Sequence, residues 1–174
     1  MFDPTIFDNL KVVLEGHIYE LDFSNQLKVT NRKDAVDIAT MSREFIMEFQ
    51  TVNNTEPYPF AEIKLTAKIE DFVKEMIYGE EEKSGCEITV NLYTKVNNIE
   101  DDPNQIKTHL NKIWKGRPLI TQQLSFYYEN EKSKLNKVNL DFNRKINEDQ
   151  VNDIPNIVDI SQESLEWINH RFSF

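Results

Sequence analysis

An alternation of apolar and polar residues from Cys86 to Val96 is the sequence feature that most constrains the fold of this chain. Ile88, Val90 and Leu92 alternate with polar neighbours along this stretch. Successive side chains of a β-strand point to opposite faces, so the pattern predicts a half-buried strand with one apolar face. The rest of the chain is then expected to cover that face.

Other stretches show the same two-residue period and also predict strands. Residues 43–51 also fit a helix, in which Phe45 and Phe49 would share a face with Ile38 and Met41, and we favour the strand. Residues 27–30 are predicted to form a hairpin with residues 10–23, which Gly16 interrupts as a bulge would. The further predicted strands cover residues 10–23, 27–30, 43–51, 63–68, 119–129 and 138–143.

Three stretches have apolar residues at helical spacing. Residues 69–77 predict an amphipathic helix that Gly79 would end. Asp102 is predicted to cap a helix over residues 102–114, because Pro103 follows at a position that suits a helix start. Ser161 is predicted to cap a last helix over residues 161–172.

These elements together predict an α+β fold. We expect a mainly antiparallel sheet of about six strands with about three helices packed on it. The 174 residues suit a single α+β domain that spans residues 1–174.

The charge and the cysteine content limit the classes of function. The net charge is −10, and the 20 basic residues are scattered among 30 acidic ones, so we expect no nucleic-acid partner. The one cysteine, Cys86, cannot form an intrachain disulfide, and we predict it to be buried and unreactive. No apolar run approaches the roughly 20 residues of a membrane span. We therefore expect a bacterial-type cytoplasmic protein without a membrane partner.

The residues that most often carry chemistry do not form a recognisable motif. His17, His109 and His170 lack a nearby Cys or His at zinc spacing, and His109 is predicted to be partly buried at the edge of a helix packing face. No nucleophile elbow, phosphate-binding loop or dinucleotide glycine pattern is present. We therefore expect no catalytic set, no metal and no cofactor.

Two groups of residues are candidates for binding a ligand or a partner. Glu15, His17 and Tyr19 would share one face of the predicted strand 10–23, where alternate side chains could contact one ligand. A packing face explains that group equally well.

The second group is Trp114, Lys115 and Arg117, which could hold a carboxylate or a phosphate. Cations also favour the dipole at the C-terminus of a helix, and this alternative explains the cluster without a ligand.

We expect a non-catalytic module that binds a protein partner or self-associates, with a homodimer as the commonest arrangement. The positive reason is that the predicted strand 10–23 is apolar on both faces, so one face would need a partner. The alternative is a small ligand-binding protein or an enzyme that uses the concave face of the sheet.

Overall fold

The chain folds around one antiparallel sheet in the computed structural model, which describes residues 5–78 and 85–172. The predicted α+β class, with six strands and long helices packed on the sheet, is confirmed. The strands are β1 Lys28–Asp37, β2 Ser42–Gln50, β3 Phe60–Ala67, β4 Cys86–Val96, β5 Leu119–Tyr127 and β6 Asn130–Ile146. The α-helices among these described residues are α1 Thr5–Phe23, α2 Ile69–Val73, α3 Asp102–Ile113 and α4 Asp153–Phe172.

Strand β4 lies in the interior of the sheet, and its alternation predicts its two unequal faces. The strand order is β1-β2-β3-β4-β6-β5, so β4 pairs with β3 on one side and with β6 on the other. Ile88, Val90 and Leu92 are buried, whereas Glu87 and Tyr93 on the opposite face are half-buried. The period of two therefore identified both the element and its covered face.

The long helices α1, α3 and α4 build the core on that covered face. Leu14 of α1, Ile63 of β3 and Ile168 of α4 belong to one cluster of buried apolar residues, and each is fully buried. Full burial of such an aliphatic side chain contributes roughly 1.5–3 kcal/mol to stability. The hydrophobic effect therefore fixes the helices against the sheet.

The prediction of a strand over residues 10–23 is wrong, because this stretch is helix α1. Leu10, Leu14 and Ile18 are among its buried residues, at a spacing of four that puts them on one helical face. Val12 and Phe23 are apolar but exposed, so the apolar residues of this stretch do not all mark a buried face. Gly16 is exposed in the helix and has no close contact, so it marks no bulge.

The first hairpin of the sheet is formed by β1 and β2. The strand that we favoured over residues 43–51 is confirmed as β2, which excludes the helical alternative. Residues 28–30 begin β1, but β1 pairs with β2 and not with residues 10–23. The predicted hairpin partner is therefore wrong, because a helix offers no free edge for strand pairing.

The predicted helices differ from the observed ones mainly at their ends. Helix α2 stops at Val73 and continues as one π-helical turn, Lys74–Tyr78, in which Met76 and Ile77 are exposed and do not form the predicted apolar face. Gly79, the predicted end of this helix, lies outside the described residues.

Ser161 does not cap the last helix, because α4 already begins at Asp153. Ser161 is buried inside α4 and its hydroxyl donates to the carbonyl of Ile157.

The predicted strands over residues 119–129 and 138–143 are confirmed as parts of the β5–β6 hairpin. Strand β6 pairs with β4 along one edge and with β5 along the other, which leaves β5 at the end of the sheet. In the described part of the chain, no helix combines the length and the apolar character needed to cross a membrane.

Candidate functional site

The first predicted group is brought together only in part: Glu15 and Tyr19, four residues apart on one helical face, both lie near Arg32 of β1, whereas His17 does not. These residues lie on helix α1, where residues two apart point in different directions. Glu15 accepts a hydrogen bond from Arg32 of β1, while the Nε2 atom of His17 lies 2.7 Å from a carboxylate oxygen of Asp159 in α4. Tyr19 packs partly buried against the core. His17 therefore does not share a site with Glu15, and the two polar contacts hold α1 against β1 and α4.

Two of the three residues of the second predicted group line one cavity. Trp114 and Arg117 line a cavity of about 460 Å³ just beyond the end of α3, whereas Lys115 is exposed and does not line it. Lys115 and Gly116 both adopt positive φ angles, 53° and 66°, which turn the chain sharply out of the helix. That turn directs the main chain so that Arg117 returns to the cavity beside Trp114.

Strand β6 supplies the residues of this cavity that the sequence reasoning missed. Phe142 packs edge-on against the Trp114 ring at a centroid distance of 5.5 Å, and Arg144 lines the same cavity. A signal for Arg144 does exist in the sequence: Leu140, Phe142, Arg144 and Ile146 share one strand face, and the cation interrupts an otherwise apolar series.

Helix α4 completes the cavity with its first two turns. Ile157 and Ile160 form an apolar wall of the cavity, and Asp153 contributes a polar group to its lining. The Asp153 carboxylate accepts a hydrogen bond of 2.7 Å from the Arg144 guanidinium. The charged side chains that line the cavity are thus two guanidinium groups and one carboxylate, so the cavity carries a net positive charge in a chain of net charge −10.

A second candidate is the surface formed by edge strand β5 and the adjoining hairpin turn. None of the nine residues of β5 carries a charge. Phe126 is 57% exposed, and the neighbouring Tyr127 and Tyr128 are 83% and 90% exposed. An edge strand presents unpaired backbone N–H and C=O groups, so an uncharged, partly apolar edge is a template for pairing with another strand.

The opposite edge of the sheet differs in the features that prevent such pairing. Strand β1 carries charges along its length and a register irregularity between Val29 and Asn31. Charged residues and bulges are the common devices by which edge strands avoid addition. The charged residues of β1 are Lys28, Arg32, Lys33, Asp34 and Asp37.

A row of aromatic and polar residues crosses the face of the sheet opposite to the core. Phe60 stacks on Tyr93 at 4.5 Å and on Tyr58 at 5.6 Å. Burial, together with the negative charges of Glu62 and Glu48, raises the pKa of Tyr93 to about 12. These rings contact one another along the row.

The histidines show no arrangement for metal binding. His109 stacks on Trp167 at 3.8 Å, which confirms the predicted partial burial. Burial and the nearby Lys112 lower the pKa of His109, against the opposing charge of Glu163. Within residues 5–78 and 85–172, no group of three or more His, Cys, Asp or Glu side chains is placed to hold a metal ion.

Comparisons of the chain with protein-family models, with curated proteins and with solved structures find no match.

Proposed function

We propose that this protein is a self-association module whose edge strand β5 pairs with β5 of a second copy. The observation that carries the proposal is the absence of charge from β5, beside exposed aromatic residues at its end. An apolar strand over residues 10–23, which would have needed a partner, does not exist, because that stretch is helix α1. The β5 edge provides an independent reason.

The sequence of β5 is compatible with pairing to itself in an antiparallel register. With the two-fold axis at Gln123, Ile120 lies opposite Phe126 of the second copy, and Gln122 lies opposite Leu124. Each of these pairs shares one face of the sheet, and an apolar–aromatic pair of this kind contributes roughly 0.2–1 kcal/mol. Two copies related in this way form an isologous dimer.

Charge also favours β5 as the contact. Two copies that each carry −10 repel one another, so a contact is least unfavourable where the surface bears no charge. Like charges directly opposite each other across a strand pair destabilise it, and β5 introduces none.

We further propose that the protein acts in the cytoplasm and without a nucleic-acid partner. Cys86 is buried and, as the one cysteine of the chain, forms no intrachain disulfide, which fits a reducing compartment. The excess of acidic over basic residues opposes binding to phosphate backbones.

The test is the mass of the protein in solution, measured by sedimentation velocity with wild type and two lysine variants. We expect the measured mass of the wild-type protein to be twice the 20.6 kDa mass of the chain. Gln123→Lys places two lysines opposite each other at the two-fold axis and should yield monomer. Thr30→Lys adds the same charge to the β1 edge and should leave the dimer intact.

A monomeric wild type at micromolar concentration would overturn self-association. An equal loss of dimer in both lysine variants would also contradict the proposal, because the contact would then not involve β5 specifically. Circular dichroism of each variant separates loss of association from loss of fold.

The alternative function, binding of a small ligand, is supported by the cavity beside Trp114. This cavity lies between the end of α3, strand β6 and the start of α4. The ligand site predicted from the sequence was instead on the concave face of the sheet.

A further inference from the structure

We infer that the cavity lined by Trp114, Arg117, Phe142 and Arg144 is a binding site for a small carboxylate with an aromatic or branched apolar body. This inference does not depend on self-association, because the cavity lining includes no residue of β5. The volume of about 460 Å³ falls within the range of roughly 300–1,000 Å³ typical of small-molecule sites.

The apolar part of the ligand would be held by a preformed floor. The Trp114 ring is 2% exposed and its Nε1 donates a hydrogen bond of 3.0 Å to the hydroxyl of Ser164. Phe142 meets this ring edge-on. Since both contacts fix the indole plane before a ligand arrives, little side-chain entropy remains to be lost on binding.

The anionic part of the ligand would be held by the two guanidinium groups. Among the described residues, the Arg117 side chain has no hydrogen-bond or ion-pair partner, so its planar guanidinium is available for a carboxylate. Arg144 donates one N–H to Asp153 and retains further donors, because a guanidinium carries five N–H groups. Asp153 thus acts as a positioning residue that orients Arg144.

The charge of the cavity indicates a ligand with a single negative charge. Arg117 and Arg144 contribute two positive charges and Asp153 one negative charge, which a single carboxylate neutralises. A dianionic phosphate monoester would leave excess negative charge beside Asp153. The Ile157 and Ile160 walls also favour a ligand whose remaining surface is apolar.

The test measures binding of 3-phenylpropionate to the full chain by Trp114 fluorescence and by calorimetry. A Trp167→Phe background leaves Trp114 as the reporter, since the chain has two tryptophans. We expect saturable binding of the carboxylate, and at least tenfold weaker binding of the neutral 3-phenylpropionamide and of inorganic phosphate. Charge-assisted hydrogen bonds of this type account for a difference of that order.

The variants locate the site. Arg117→Gln and Arg144→Gln should each weaken binding of 3-phenylpropionate by roughly tenfold or more. Lys115→Gln removes the neighbouring cation that does not line the cavity and should change the affinity by less than about twofold. Gln123→Lys, the β5 variant, should bind as tightly as wild type, which separates this inference from self-association.

Three outcomes would overturn the inference. They are no saturable response to 3-phenylpropionate up to its solubility limit, equal binding of acid and amide, and an equal effect of Lys115→Gln and Arg117→Gln. Circular dichroism and urea unfolding of the arginine variants ensure that a loss of binding is not a loss of fold.

Discussion

The indole Nε1 of Trp114 donates a hydrogen bond to the Ser164 hydroxyl at 3.0 Å, although the two residues are fifty positions apart in the chain. Both side chains are buried, so neither group can turn to water instead. The Ser164 hydroxyl in turn donates to the carbonyl of Ile160, one turn earlier in α4. This pair therefore joins the end of α3 to the middle of α4.

Ser164→Ala should destabilise the protein by about 1–3 kcal/mol, because it leaves the buried indole N–H without an acceptor. The free energy of unfolding in urea measures the loss. In a Trp114→Phe background, which has no indole N–H to satisfy, the same substitution should cost clearly less. Equal costs in the two backgrounds would show that the hydrogen bond does not couple the helices.

Asp102→Ala should destabilise the protein, although Asp102 does not act as the predicted cap. The N-cap position of α3 is Asp101, and one carboxylate oxygen of Asp102 accepts from the backbone N–H groups of Asn97 and Asn98, each at 2.9 Å. Loss of two charge-assisted bonds should cost about 1.5–3 kcal/mol in urea unfolding. Asp101→Ala, which leaves these two bonds in place, is the control, and an equal or larger loss there would contradict this assignment.

Asp34 should make stability depend on pH in the acid range. Burial favours the protonated form, but hydrogen bonds and charges from Lys11, at 2.8 Å, and from Arg43 prevail and lower the pKa of Asp34 below its usual 3.8. A lowered carboxyl pKa stabilises the fold above the unfolded pKa, and this contribution is lost as pH falls through the folded pKa.

Urea unfolding of wild type and Asp34→Asn at several pH values measures this contribution. We expect wild type to be the more stable at neutral pH and its advantage to shrink as the pH falls below about 4. Glu56→Gln, which also removes one negative charge but at an exposed loop position, is the control variant. An advantage of wild type that stays constant down to the acid limit would contradict the role given to Asp34.

Tyr93 should ionise later than an ordinary tyrosine. Burial and the charges of Glu62 and Glu48 raise its pKa to about 12, from the usual 10.0. Because the unfolded chain releases this proton first, stability should fall as pH rises between these two values. Ultraviolet titration of phenolate absorbance should show a late step that Tyr93→Phe removes and Glu62→Gln moves to lower pH. A wild-type titration without a late step would refute the assignment.

Cys86 should react slowly with a neutral aromatic disulfide in the native protein and rapidly after unfolding in urea. The thiol is 2% exposed at the start of β4, so the reagent must wait for the strand to open. The unfolded protein serves as the control for full reactivity. Fast stoichiometric labelling without denaturant would contradict the predicted inertness.

The sheet could be predicted well where one apolar face meets one polar face. In β4, polar residues occupy every second position up to Tyr93, so the strand period is the only consistent one. Helix α1 could not be predicted in the same way, because Val12 and Phe23 are apolar on its exposed side. An exposed apolar residue cannot be distinguished from a buried one in the sequence pattern.

The cavity beside Trp114 shows the limit of sequence reasoning about sites. Trp114 and Arg117 lie three positions apart in the chain, so the sequence predicts that they are close in space. Arg144 reaches the same cavity only because β6 passes between β4 and β5 and then turns into α4. Such convergence depends on tertiary packing, which local composition does not encode.

The unequal edges of the sheet limit how far the proposed assembly could grow. In the proposed dimer both β5 edges would be paired, and the ends of the twelve-stranded sheet would be the two β1 edges. The charges of β1 and its irregular register oppose any further strand at those ends. A chain with two permissive edges could polymerise into a fibre, whereas a chain with one permissive edge stops at a closed pair.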